Sequence, residues 1–204
     1  MKLVVVSAGL SVPSSTRLLA DRLAGAAGRQ APVDVEVVEL RDLAVEIAHH
    51  FTNGFPGRRL AAAQEAVAAA DGLIVVTPVF SASYSGLFKS FFDVLDPDAL
   101  AGKPVLIAAT GGSARHSLVL EHALRPLFSH LHAVVVPTAV YAASEDWGAQ
   151  GLPERIERAA GELTALMTGL STPSSPSRPA KAGTDGDELT VVPFAERLAA
   201  LAAR

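Results

Sequence analysis

Apolar and largely β-branched residues gather in five short runs, at positions 3–7, 33–40, 73–77, 105–110 and 133–140. Four of them are apolar at nearly every position. The second alternates, with Val33, Val35 and Val37 set against Asp34, Glu36 and Glu39. A strand that is apolar throughout must be covered on both faces, as in a parallel sheet between two helical layers, whereas alternation marks an edge. The second run is therefore expected at an edge. Between the runs, leucine, alanine and phenylalanine recur at three- and four-residue spacing over 15–27, 58–70, 87–95, 116–131 and 153–167, which predicts five helices. Strict alternation of strand and helix predicts an α/β fold, a parallel sheet wound in both directions with right-handed crossovers.

Five strands favour the flavodoxin-like order 2-1-3-4-5 over the longer dinucleotide-binding order. The chain has 204 residues, half of them hydrophobic, which suits one domain, expected over residues 1–170. Residues 171–188 (STPSSPSRPAKAGTDGDE) carry nothing larger than alanine that is apolar, so they read as a flexible linker. Residues 189–204 (LTVVPFAERLAALAAR) predict a short amphipathic helix, with Pro193 as its first residue and Phe194, Leu198 and Leu201 on one side. Such a helix needs a surface to dock on, either its own domain or a neighbouring subunit. With 17 basic and 21 acidic side chains, the net charge of -4 gives no broad basic field, which argues against nucleic acid or anionic membrane as partner. Cysteine is absent, which removes disulfides, thiolate metal sites and a thiol nucleophile, so redox chemistry would need a borrowed cofactor. No apolar run is long enough to cross a bilayer or serve as a secretory leader, so the expected location is the cytoplasm.

In a doubly wound sheet, ligands bind beyond the carboxyl ends of the strands where the winding reverses, so the loops after the first, third and fourth strands matter most. The first loop, SAGLSVPSST (7–16), carries five hydroxyl residues, four of which, Ser11, Ser14, Ser15 and Thr16, gather at the approach to a helix. Hydroxyls and free helix amides together cradle a phosphate, with Arg17 adding charge nearby. A simple helix cap by Ser14 or Ser15 is the other reading. The second loop, TPVFSASYSG (77–86), adds hydroxyls and two aromatics, Phe80 and Tyr84. The third, TGGSARH (110–116), brings a Gly-Gly pair that lets the backbone approach a flat ligand edge. Together they point to an aromatic phosphate monoester. Neither G-x-x-x-x-G-K-[ST] nor G-x-G-x-x-G is present, which argues against triphosphate cleavage and a standard nicotinamide-binding domain.

These segments, SAGLSVPSSTRLLADRLA, TPVFSASYSGLFKSFFDVL and ATGGSARHSLVLEHALRPLF, resemble the NADPH-dependent FMN reductase family, within it the group that pairs with flavin-dependent monooxygenases. The ending VVPFAERLAAL resembles the tail of a subgroup partnered with luciferase-like monooxygenases. The family's first loop reads G-S-x-R-x-x-S-x-N, and Ser11 stands here in place of its arginine. By position, the resemblance implies that Ser11, Ser14, Ser15 and Thr16 hold the FMN phosphate. Pro78, Val79, Phe80, Tyr84 and Ser85 would line the ribityl chain and ring, and Thr110, Gly111, Gly112 and His116 would face the polar ring edge. It implies hydride transfer from NADPH or NADH to flavin N5, with no obligatory side-chain acid or nucleophile. It further implies a homodimer or homotetramer, for which Phe88, Phe91 and Phe92 are candidate interface residues, core packing being the alternative. Some relatives place an inserted tyrosine, on a one-turn π-bulge, at the position of His122. A quinone or azo reductase that retains FMN, and a non-enzymatic flavodoxin-like electron carrier, are the competing expectations.

The remaining histidines offer no metal chemistry. His49-His50 and His130-x-His132 lack carboxylate partners at ligand spacing and read as loop polarity. Ser113 in GGSARHS makes no nucleophile elbow. Arg41, Arg58, Arg59 and Arg115 could meet nicotinamide-nucleotide phosphates, although solvated surface charge explains them equally.

Overall fold

The computed structural model describes residues 1–171. The expected linker beyond Ser171 and the expected helix at 189–204 lie outside the described residues. Seven strands form the sheet: β1 (Lys2–Ser7), β2 (Asp34–Glu39), β3 (Gly72–Phe80), β4 (Ser83–Tyr84), β5 (Pro104–Gly111), β6 (Val134–Val135) and β7 (Val140–Ala143). The order is β2-β1-β3-β5-β6, with β7 also on β5 and β4 antiparallel to β3. Taking β6 and β7 as one interrupted strand, this is the expected 2-1-3-4-5 order.

The interruption has a local cause. Val134 and Val136 give their amides to the Lys103 and Val105 carbonyls of β5, but Thr138, the next donor in that series, gives its amide to Glu162, so pairing with β5 lapses and resumes at Val140. The displaced backbone is satisfied by side chains instead. Arg125 donates to the carbonyls of Val136 and Pro137, each at 3.1 Å. The Glu162 carboxylate accepts from the Thr138 amide at 2.7 Å and from its hydroxyl at 2.6 Å.

The continuous apolar runs are explained by burial on both faces. Val4, Val6, Leu73, Val75, Val105 and Ile107 pack on one side, beneath α2 (Ala44–Asn53), α3 (Arg58–Ala68), α4 (Gly86–Asp93) and α5 (Arg125–His130). Leu3, Val5, Ile74, Val76, Leu106 and Ala108 pack on the other, beneath α1 (Ser15–Gln30) and α6 (Leu152–Ser171). The strand β2 is at the edge as expected, yet its burial does not follow the alternation: Val35 is exposed, Val37 half-buried and Val38 buried. The reason is that Leu40 and Leu43 of the 3-10 turn Leu40–Leu43 close over its carboxyl end on the same side as Val38.

One expectation needs correction. Residues 44–53 are the helix α2, so His49 and His50 sit on a helix and not in a loop; the exposed Val45 and Phe51 blur the apolar period that Leu43 and Ile47 carry. Of the two readings of α4, core packing is the one met: Phe88 and Phe91 are fully buried and Phe92 nearly so, with the Phe92 and Phe128 rings 4.9 Å apart.

Candidate ligand site at the carboxyl edge of the sheet

Parallel register brings the ends of β1, β3 and β5 to one edge, Ser7 opposite Val76 and Pro78 opposite Thr110. The chain leaves β1 with the Ala8 amide still bonded to the Val76 carbonyl at 2.9 Å, then turns over the start of α1. Ser14 is the helix cap, its hydroxyl accepting from the Arg17 amide at 3.2 Å. Gly9 lies so close to this cap that a Cβ there would stand 2.1 Å from Ser14 Oγ. Ser11 and Ser15 are exposed, and the Ser11 hydroxyl donates to the Pro13 carbonyl at 2.9 Å. Helix geometry leaves the amides of Ser15 and Thr16 without intrahelical acceptors. The cap reading is met by Ser14, and the exposed Ser15 and the first helix amides lie beside it.

Thr16 is placed differently from Ser11 and Ser15. It is buried, and its hydroxyl meets the Thr110 hydroxyl at 2.8 Å, so only its backbone is available to a ligand in the turn. The pair ties the first loop's helix to the third loop. Ser7 Oγ, at the foot of the turn, is fully buried and has no hydrogen-bond partner. Strand alternation puts it on the α1 face with Leu3 and Val5. A buried unpaired hydroxyl costs stability, which sets this one apart from the satisfied polar groups around it.

The second loop is a hairpin. Val79 pairs with Tyr84 and Phe80 with Ser83, around a two-residue turn in which Ser81 and Ala82 both have positive φ, 48° and 66°. Pro78, Val79 and Tyr84 are half-buried and Phe80 is exposed, which leaves an aromatic and aliphatic wall. Ser85 is buried and structural: its hydroxyl caps α4 by accepting from the Phe88 amide at 3.2 Å, and its amide donates to Thr77 Oγ1 at 3.0 Å.

In the third loop, the requirement for Gly111 comes from the protein itself. A Cβ at Gly111 would stand 2.1 Å from the Tyr141 hydroxyl, which donates to the Ser113 carbonyl at 2.8 Å. Burial, with Glu145 and Asp146 nearby, raises the Tyr141 phenol above its ordinary pKa. Gly112 has open space where a side chain would be, so its backbone is approachable. His116 is exposed and shares a cleft with Ser83, Arg115 and His122. His122 lies in a π-helical turn, Leu120–Leu124. Beside it Glu121 binds Arg125 at 2.6 and 3.0 Å, which holds the Glu121 carboxyl below its usual range.

The charges around the first turn differ from a simple reading of the chain. Arg17 is consumed: its Nε meets Asp21 at 2.7 Å and its Nη1 meets Glu39 at 2.5 Å, and these partners raise its pKa. Arg41, in the 3-10 turn after β2, reaches the turn instead and donates to the Ser11 carbonyl at 3.2 Å. Nothing in the spacing of Ser11 and Arg41 announces this contact. Arg58 and Arg59 are exposed on α3, and Arg115 is exposed beside His116.

Chemically, the edge offers hydroxyls and helix amides for an oxyanion, then an apolar wall, then open backbone polar groups. That sequence of surfaces fits a phosphate-tailed planar ring, and the unpaired Ser7 hydroxyl and the close-packed Gly9 turn fit the phosphate end. Among the described residues no cluster of three His, Cys, Asp or Glu could hold a metal ion, and no helix is long and apolar enough to cross a membrane.

Residues 1–148 match the model of a family described as NADPH-dependent FMN reductase. An FMN reductase (NADPH) of Pseudomonas aeruginosa is 40% identical, over 83% of this chain and 94% of that protein. The NADH-dependent FMN reductase SfnF of Pseudomonas fluorescens is also 40% identical, over 82% and 92%. An X-ray structure of an oxidoreductase from Corynebacterium diphtheriae shares 50% identity with a TM-score of 0.79, covering 82% of this chain and 97% of that one.

Proposed function

The chain belongs to the NADPH-dependent FMN reductase family, and on that premise we propose that it catalyses reduction of FMN by NADPH or NADH. The carrying observation is the convergence of the three loops on one sheet edge, the Thr16–Thr110 hydroxyl pair joining the first to the third. Bound FMN supplies the acceptor for a hydride from the nicotinamide. The protein's own contribution is binding and orientation. Ser11, Ser14, Ser15 and the Thr16 amide hold the phosphate. Pro78, Val79, Phe80 and Tyr84 wall the ring and its chain, and Ser85 keeps that wall in place from beneath. The Gly112 backbone and His116 face the polar edge, supported by Thr110 and Gly111. Donors aimed at that edge favour the charge that reduction adds, without a side-chain acid.

Relatives of equal identity are named for different donors, so both nicotinamides belong in the test. Purified protein mixed with FMN and either nucleotide is expected to bleach flavin absorbance. No loss above the uncatalysed rate with both would refute the function. Transfer of the reduced flavin to a partner monooxygenase, in the cytoplasm and from a homodimer or homotetramer, completes the proposal. Colourless purified protein supports FMN as a dissociable substrate, and permanently yellow protein supports the quinone- or azo-reductase alternative.

A further inference from the structure

Resting on the flavin reading above, one residue of the phosphate end can be assigned that neither motif nor position identifies. The turn after β1 needs a cation if it is to hold a dianion, because Arg17, Asp21 and Glu39 together carry one net negative charge beside it. Arg17 is held by both carboxylates at once and has little left to offer. Arg41 is the contrasting case. Its Nη1 rests on the Ser11 carbonyl at 3.2 Å, and its only ion pair is a loose one, from Nε to Asp42 at 3.6 Å among the described residues. Its side chain is one-third exposed. A guanidinium has five N–H donors in a planar fork, and two partners leave others free. Ser11, Ser14, Arg17, Glu39 and Arg41 line the same cleft.

We propose that Arg41, delivered from the 3-10 turn after β2, is the phosphate-reading cation of the flavin site and sets the preference for FMN over riboflavin. Position 11 bears a serine, and the guanidinium reaches the same turn from a different strand. The Ser11 carbonyl holds it there. Arg41 acts in binding and not as a catalytic residue.

The rival role is a mechanical brace on the turn, and two substitutions separate them. Arg41→Gln keeps a donor for the Ser11 carbonyl and removes the charge; Arg41→Lys keeps the charge and loses the fork. FMN and riboflavin are titrated into the full chain by flavin fluorescence, at low and high salt, with thermal unfolding as a check that each variant folds. Loss of a hydrogen bond to a charged group should weaken FMN binding by roughly 10- to 100-fold in Arg41→Gln. Riboflavin affinity should not change, Arg41→Lys should fall between, and the salt dependence of FMN binding should flatten. Arg41→Gln that keeps the full FMN preference, or that weakens both flavins alike, overturns the assignment while leaving the flavin reading intact. Wild-type protein that binds neither flavin overturns both.

Discussion

Substituting Gly111 by alanine tests the packing beneath the third loop. The new methyl would stand 2.1 Å from Tyr141 Oη and 3.1 Å from its Cζ. The backbone itself tolerates alanine, since Gly111 is not among the positive-φ residues. A compatible Gly→Ala change stabilises by about 0.4–1 kcal/mol through the unfolded chain. The contact outweighs that gain. Tyr141 is 4% exposed and has nowhere to go without strain, which costs about 1–3 kcal/mol, and displacing it also breaks its bond to the Ser113 carbonyl, worth about 1 kcal/mol. A net loss of about 1–3 kcal/mol is expected. Tyr141→Phe removes the colliding oxygen, so Gly111→Ala in that background should cost less, by a coupling of about 1–2 kcal/mol. Urea unfolding of the four proteins measures the cycle. Equal penalties in the two backgrounds would show that the phenol oxygen is not what excludes a side chain at position 111. The same Tyr141→Phe protein carries a pH signature. A phenol whose folded pKa is raised contributes stability that is complete below its unfolded value, about 10, and is lost as pH rises through the folded value. The wild type should therefore weaken at alkaline pH, and the phenylalanine variant should show a shallower decline.

Thr16→Val leaves the buried Thr110 hydroxyl unpaired and should cost about 1–3 kcal/mol in urea unfolding, as should Thr110→Val. The double variant should lose less than the two together, and strict additivity would sink the idea of a shared bond. Ala82→Gly relieves a left-handed alanine and should stabilise the protein by about 1 kcal/mol in thermal or urea unfolding; no gain would mean that the hairpin turn carries no strain.

Much of the architecture is legible in the chain because burial on both faces demands apolar residues at every position, and β1, β3 and β5 meet that demand. The loops of the site follow from strand order, since parallel strands put their carboxyl ends together. What escapes is whatever depends on a single contact. The break at Pro137 hides inside a run that is otherwise apolar, and α2 hides because Val45 and Phe51 sit on its exposed side. The hairpin at Ser81-Ala82 lacks the Asn-Gly or Gly-Gly that such turns normally show. Gly111 reads as a place for a ligand to approach, yet its neighbour is Tyr141, thirty residues further along. Thr16 reads as a phosphate ligand by position, yet its hydroxyl turns inward to Thr110. Arg41 and Ser11 are equally far apart in the chain, and only the geometry of the edge strand brings them together.

The interrupted outer strand also bears on how copies of this protein can associate. A bare sheet edge invites any extended polypeptide to add itself as one more strand. At Pro137 that invitation is weakened, because its carbonyl is already claimed by the Arg125 guanidinium and proline has no amide to lend. A strand added there would find no donor at that position and an acceptor already engaged.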